Sequence, residues 1–384
     1  MKIVDVNGFY AEAGGGVRQY VDAKFAAAAR AGYQLTVIAP GAASRIEPRL
    51  GGEVRWVAGP PMPFDPRYRR FGARDAVWAA IGAAAPDVIE ASSPWKSASL
   101  AAFWPGGATR ALVFHQDVVA AYAHTTLDRI ITPRATDALA APWWARLRGL
   151  STRFDVTVAG GAWLAGRLAD HGVANAVAVP FGIEAGRFGP EHRDEGLRSE
   201  LLAKCGVGPE GRLLLAVARF HPEKRLPTVI DAFAKAWSRR GDLGLVIVGQ
   251  GLARLAVERA ARRAGHVALL GTIENREALA QVYASADLFV HGSAAETYGL
   301  AVAEAITSGL AVVVPDRGGA ADLAPRGTSR VYLTGDFASC VEAILAALAG
   351  EAAAPTAPPP GTIDDHFTAL FELYEGLTEP KSAR

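Results

Sequence analysis

Leu213-Leu214-Leu215-Ala216-Val217-Ala218-Arg219-Phe220-His221-Pro222-Glu223-Lys224-Arg225 passes from six apolar residues into a charged loop, and the residues that follow say what kind of unit this is. From Leu226 to Arg240, Val229, Ile230, Phe233, Ala236 and Trp237 recur at three- and four-residue spacings, the period of a helix with one apolar stripe. Leu243 to Val248 is apolar again and ends in Gly249-Gln250-Gly251. The stretch therefore predicts strand, loop, helix, strand. The same unit opens the chain about 210 residues earlier: an apolar run Lys2 to Val6, a glycine-bearing loop Asn7 to Gly16, a helical pattern Val17 to Ala31 and a second apolar run Leu35 to Ala39. Two copies predict two doubly wound α/β domains in tandem. Short apolar runs at Val88 to Glu90, Ala111 to His115, Asp155 to Ala159, Val177 to Pro180, Val267 to Gly271, Leu288 to His291 and Ala311 to Pro315 read as further buried parallel strands.

Length and composition agree with this division. A chain of 384 residues, half of them hydrophobic, holds two to three domains at roughly 150 residues each. Forty basic against thirty-nine acidic residues leave a net charge of +1, too little for the salt-dependent phosphate neutralisation of a nucleic-acid binder. Cys205 and Cys340 make neither a disulfide framework nor a thiolate metal site. The first eight residues already contain an acid and a turn where an export signal needs its apolar stretch, and no apolar run reaches the ~18 residues of a membrane span, so a cytoplasmic chain is expected. Val179 to Gly196, rich in Gly, Pro and charge, reads as the interdomain linker, and the prolines between Ala352 and Gly361 as a second break. Beyond it, Phe367, Leu370, Phe371 and Tyr374 predict one more helix over Ile363 to Leu377.

Several groups could carry chemistry. Glu296-Thr297-Tyr298-Gly299-Leu300 lies between a strand ending at His291 and a helix running to Ser308, at the carboxyl end of a parallel strand where open α/β sheets bind ligands. The amides of Tyr298, Gly299 and Leu300, with the positive end of the helix dipole, suit an anion. Glu304 lies eight residues after Glu296 amid Ala, Val and Ile, where a carboxylate needs hydrogen-bond donors, and sugar hydroxyls are suitable ones. Arg219 and Lys224 bracket a loop and suit a diphosphate, arginine gripping bidentately and lysine acting as a point charge. Gly14-Gly15-Gly16 opens the first helix and reads equally as a close approach to a ligand or as a flexible turn. His115 ends a strand at the same edge, a position that is more often structural. His115, His124 and His171 lack the close spacing of a zinc site, so no metal is expected. Trp143-Trp144 with Arg146, Arg148 and Arg153 reads equally as core packing or as an aromatic and basic helix resting on a membrane face.

Taken together these residues resemble one known family. The run from His291 through Glu296 and Glu304 to Pro315, with Gly318-Gly319, is similar to the Glu-x7-Glu signature of retaining glycosyltransferases of family 4, of GT-B fold. Arg219 to Lys224 resembles that family's Arg-x4-Lys phosphate loop, Gly14 to Val17 its glycine loop, and Phe181-Gly182-Ile183 the end of its linker strand. The resemblance implies two Rossmann-like domains facing across a cleft: 1–180 on the acceptor side, 181–361 binding the nucleotide sugar, and 362–384 as a helix crossing back to the first domain. It implies that Arg219 and Lys224 neutralise the donor diphosphate, that Glu304 binds the ribose, and that Glu296 with the amides of Thr297, Tyr298, Gly299 and Leu300 holds the sugar. Gly15 and Gly16 would face the phosphate, His115 the reacting sugar, and Thr272 and Ile273 the base.

One departure is that Thr297 stands where the family often has glycine, which brings a side chain toward the sugar pocket. The implied function is transfer of a hexose from a GDP-mannose or UDP-sugar type donor to a hydroxyl of a glycan or lipid-linked acceptor, with retention and without cofactor or metal. A nucleotide-sugar epimerase of the same fold and a non-catalytic sugar-binding protein are the alternatives. Polysaccharide or glycolipid biosynthesis, a cytoplasmic location and peripheral contact with the inner membrane face complete the expectation.

Overall fold

The computed structural model describes residues 1–12, 16–63, 65–128, 130–324, 329–350 and 360–379. Their contacts divide the chain into two units, each built on its own sheet. The first unit comprises Met1–Gln116, Leu139–Pro180 and the residues from Ile363 onward. Its strands are β1 (Lys2–Val6), β2 (Gln34–Gly41), β3 (Arg45–Arg49), β4 (Gly52–Ala58), β7 (Val88–Ala91), β8 (Thr109–Phe114), β9 (Val156–Ala159) and β10 (Ala176–Ala178), with a separate small hairpin of β5 (Pro61–Met62) and β6 (Asp65–Arg69). They lie in the order β10-β9-β8-β7-β1-β2-β4-β3. Every pair is parallel except β3 with β4.

The second unit, Asp117–Ala138 with Phe181–Thr362, carries β11 (Arg212–Val217), β12 (Leu243–Val248), β13 (Val267–Gly271), β14 (Leu288–Val290), β15 (Ala311–Pro315) and β16 (Arg330–Tyr332). Their order is β13-β12-β11-β14-β15-β16, all parallel. Burial explains why these runs were legible as strands. All six residues of β12 are buried, as expected when helices cover both faces of a parallel sheet and no position can alternate toward water. In both sheets the chain winds outward one way, returns, and winds the other way. The switch falls between β1 and β7 in the first unit and between β11 and β14 in the second.

Five strands were not legible: β3, β4, β16 and the small hairpin β5–β6. β3 is short, half charged and contains Pro48, which is tolerated because β3 is an edge strand. β4 interleaves Glu53 and Arg55 with its apolar residues, and β16 has three residues. The assignment of 1–180 to one domain needs a correction, since Asp117–Ala138 groups with the second unit. Arg317 holds Asp128 at 3.3 Å there, and Tyr122, on a π-helical turn Val119–His124, sets its ring edge-on to His221.

The final helix, Ile363–Thr378, packs in the first unit on the helix Gly16–Arg30, with Tyr20 and Phe367 rings 5.1 Å apart. His366 Nδ1 donates to the Pro180 carbonyl at 2.9 Å, which leaves its Nε2 to accept the Tyr20 hydroxyl at 2.9 Å. Burial pushes the His366 imidazole down to about 4, which agrees with that neutral tautomer.

Beside this contact the first unit buries an ion triad. Lys24 Nζ lies 2.5 Å from Glu90 Oε2 and 3.4 Å from Asp5 Oδ2, and all three side chains are fully buried. Ser92 Oγ donates to Asp5 at 2.7 Å, and Tyr374 Oη donates to Glu90 at 2.7 Å. Asp5 stands on β1, Glu90 on β7 and Tyr374 on the last helix, so one network ties the switch-point strands to both ends of the chain. Burial pushes the Asp5 carboxyl up to about 6 against the pull of Lys24, whereas Lys24 and Tyr374 hold Glu90 below its ordinary value in spite of burial.

Removing one member of a buried ion cluster leaves uncompensated charge, a loss of about 3–5 kcal/mol. Lys24→Met is therefore expected to lower the unfolding free energy in urea by that amount, and a loss under about 1 kcal/mol would contradict the assignment of Lys24 as the counter-charge.

Candidate active site

β11 and β14 are hydrogen-bonded neighbours, Leu214 opposite Leu288 and Leu215 opposite Phe289, so the loops leaving their carboxyl ends start side by side. After β11 come Arg219 to Arg225, and after β14 come His291 to Gly299. Two glycines let the backbones close up. A Cβ on Gly292 would stand 2.6 Å from the Lys224 carbonyl oxygen, and one on Gly319 2.5 Å from that of Thr297. Ordinary residues cannot occupy either position without moving the loops.

This closeness brings two distant motifs into one cluster. Lys224 Nζ lies 2.6 Å from Glu296 Oε1, and His291 Nε2 lies 3.2 Å from the same oxygen. Glu223 Oε1 is 3.4 Å from Lys224 Nζ and 3.8 Å from Arg219 Nη2. Burial alone would push the Lys224 ammonium down, but the carboxylates of Glu296 and Glu223 outweigh it and hold the lysine above its ordinary range. Burial alone would raise Glu296. Lys224 and then His291 outweigh it and leave the carboxyl well below the usual carboxylate range. The pair is thus ionised at neutral pH, and an anion arriving at Lys224 meets a charge already in place.

The helix Leu300–Thr307 begins four residues after Glu296 with Gly299 in the left-handed region at φ 101°, and its first-turn amides have no carbonyl one turn back within the helix. Thr297 and Tyr298 are buried, Tyr298 with its ring edge-on to Phe181, and Leu300 points outward. The Thr297 side chain is therefore packed in the protein. Glu304 is buried one turn further along, with Tyr283 Oη donating to Oε2 at 2.9 Å and Arg276 Nη2 to Oε1 at 3.0 Å. Burial raises the Glu304 carboxyl, and Arg276 with the Tyr283 hydroxyl opposes the rise. Two donors leave lone pairs on the carboxylate for the hydroxyls of a ligand. Arg276 also stands 3.7 Å from Glu184 and lies over the Phe188 ring.

The expected residues thus fall into two groups. In the second unit Lys224 meets Glu296, and Thr297, Tyr298 and Gly299 lead from Glu296 into the helix that carries Glu304. Arg219 belongs to the same loop but is 79% exposed and extends from it. Thr272 and Ile273 follow β13 and precede the helix Arg276–Ala284, whose cap is Asn275. His115 follows β8 in the first unit, where Tyr20 meets its ring edge-on at 4.8 Å, and burial pushes it down to about 4. Gly16 is the first residue of its helix, whereas Gly14 and Gly15 lie outside the described residues. His291, Tyr283 and Arg276 were not singled out from sequence. His291 could have been, because it stands at the strand end in the same run as Glu296.

Comparison with known proteins identifies the family and the fold. Residues 198–354 match the family model "Glycosyl transferases group 1", and residues 14–187 match "Glycosyltransferase Family 4". A GDP-mannose-dependent alpha-mannosyltransferase of Mycobacterium tuberculosis is 31% identical over 254 residues, 66% of this chain and 61% of that protein. A GDP-mannose-dependent alpha-(1-6)-phosphatidylinositol dimannoside mannosyltransferase of the same species is 28% identical over 316 residues, 82% of this chain and 79% of that protein. Among solved structures, the fold is shared with a sucrose-phosphate synthase from Thermosynechococcus elongatus, at TM-score 0.68 and 17% identity over 98% of this chain and 96% of that one. It is also shared with Anabaena Alr3699/HepE in complex with UDP, at TM-score 0.66 and 17% identity over 99% of this chain and all of that one. The chain belongs to glycosyltransferase family 4 and has the GT-B fold.

A hydrogen bond to a charged group contributes about 1.5–3 kcal/mol, which corresponds to a factor of roughly 10–150 in affinity. Lys224→Met is expected to weaken binding of a nucleoside diphosphate by that factor in isothermal titration while the thermal midpoint of the free protein stays measurable, and unchanged affinity would remove Lys224 from the site.

Proposed function

We propose that the chain moves mannose from GDP-mannose to a hydroxyl of a glycan or lipid-linked acceptor, with retention of configuration and without a metal. The observation that carries this reading is the contact of Lys224 with Glu296 just before the helix Leu300–Thr307, together with the buried Glu304 further along that helix, held by Tyr283 and Arg276. The choice of donor is supported by the mannosyltransferases to which the chain is similar. In this reading Lys224 and the exposed Arg219 meet the diphosphate, the first-turn amides near Leu300 add the positive end of a helix dipole, and Glu304 accepts from the ribose hydroxyls. Glu296, already ionised against Lys224 and His291, accepts from hydroxyls of the sugar.

The acceptor oxygen forms its bond to the anomeric carbon on the face from which the phosphate oxygen departs, and the departing phosphate takes the acceptor's proton. The protein's share is charge stabilisation and positioning. The role of His115 toward the sugar rests on the family resemblance, as does the absence of a metal requirement.

Thermal-shift measurement with GDP-mannose, UDP-glucose and ADP-glucose tests the donor, because a ligand at a hundred times its dissociation constant stabilises by about 2.7 kcal/mol. GDP-mannose is expected to give the largest shift, and Glu304→Gln to reduce it. A larger shift with UDP-glucose would move the donor assignment, and no shift with any of the three would contradict the whole reading. With acceptor and EDTA present, proton NMR of the product is expected to show the α-anomer. Conversion of the nucleotide sugar with no acceptor present would mean an epimerase.

A further inference from the structure

Glu304 is buried, and its two oxygens are held separately by one neighbouring helix. Asn275 caps that helix, Arg276–Ala284, by accepting from the Glu277 and Ala278 amides at 2.9 and 3.1 Å, which makes Arg276 its first residue. Tyr283 follows two turns later, so both side chains leave the same face. The Arg276 guanidinium donates to Glu304 Oε1 at 3.0 Å and the Tyr283 hydroxyl to Oε2 at 2.9 Å. Among the described residues no other side chain donates to this carboxylate.

A single ring backs both donors. Phe188, 3% exposed, has the Arg276 guanidinium 5.1 Å from its centroid and the Tyr283 ring at right angles 5.6 Å away. The exposed Glu184 stands 3.7 Å from Arg276 Nε, so the guanidinium is held by Glu304, Glu184 and Phe188 together. Such support matters because the terminal torsion of a glutamate is broad and roughly two-fold, and a carboxylate bound through one oxygen can swing. Donors on both oxygens fix its plane.

An ionised carboxylate accepts at about four lone-pair sites, two on each oxygen. Arg276 fills one on Oε1 and Tyr283 one on Oε2, which leaves one on each. Two remaining sites on neighbouring oxygens match two neighbouring hydroxyls, the vicinal diol of a ribose. We propose that Arg276, together with Tyr283, is the positioning residue that turns Glu304 toward such a diol and so makes the second unit select ribonucleotides over nucleotides that lack those hydroxyls. The inference rests on the assignment of Glu304 to the ribose and adds what holds Glu304 in place. Burial pushes the Glu304 carboxyl up, Arg276 and the Tyr283 hydroxyl pull it down, and the charge of Glu184 adds to the rise. Removal of either donor raises it further, so the carboxylate that binds hydroxyls most strongly then forms only at higher pH.

Calorimetric titration of the full chain with GDP and with dideoxy-GDP, which lacks both ribose hydroxyls, between about pH 5 and 8 tests it. The ratio of the two affinities measures the diol contribution, and the dideoxy-GDP affinity alone reports that the rest of the site is intact. The wild type is expected to favour GDP at least about tenfold at neutral pH. In Arg276→Met and in Tyr283→Phe the preference is expected to fall at least about fivefold and to recover as pH rises, with a midpoint above that of the wild type. Arg276→Lys, which keeps the charge, is expected to keep the wild-type midpoint. A preference that Arg276→Met leaves unchanged, a preference lowered equally at every pH, or an equal loss of both affinities overturns the inference while the ribose assignment stands. A wild type that binds both nucleotides equally, or neither, overturns the ribose assignment and the inference with it.

Discussion

The contact between Lys224 and Glu296 is the constraint on which the proposed chemistry of the second unit depends. The two residues are 72 positions apart, and only the adjacency of β11 and β14 at the switch of the sheet places their loops together. Each is expensive alone: a largely buried ammonium tends to lose its proton and a largely buried carboxylate to gain one. Together, at 2.6 Å, each keeps the other ionised. The site is therefore charged and oriented before any ligand arrives, which is the condition for electrostatic stabilisation without reorganisation.

The first unit uses the same topology for a different end. Its switch falls between β1 and β7, and there Asp5, Glu90 and Lys24 are sealed inside, with Tyr374 from the last helix completing the network. One unit carries its charges inside the sheet's core, where they fix the packing of the chain's two ends. The other carries them beyond the strand ends, where a ligand can reach them. The difference lies in where the charges fall, since Asp5 and Glu90 are strand residues, whereas Lys224, on a 3-10 turn, and Glu296, in a loop, lie beyond the strand ends. Cys205 and Cys340, both buried with thiols pushed up to about 11 and about 12, take no part in either.

What was legible in sequence follows the same logic. Strands buried on both faces, such as Leu243–Val248, leave an unbroken apolar run, and Glu296, Glu304, Arg219 and Lys224 sit at fixed spacings along one loop or one helix. Contacts between elements leave no such spacing. Tyr283 and Arg276 reach Glu304 from a neighbouring helix, and nothing in their local sequence marks them as its donors. The grouping of Asp117–Ala138 with the second unit was equally hidden, because it rests on contacts between residues far apart in sequence, such as Asp128 with Arg317 across 189 residues. β3 was missed because its proline and charges are what an edge strand tolerates and a central one does not.

The central claim is that the second unit's switch point holds a nucleoside diphosphate, and a crystal structure determined with GDP tests it most directly. The account predicts the β-phosphate within hydrogen-bond distance of Lys224 Nζ and of the amides at the start of the helix Leu300–Thr307, with the ribose hydroxyls on Glu304. GDP bound away from these groups, or phosphates that leave Lys224 engaged with Glu296 alone, would contradict it.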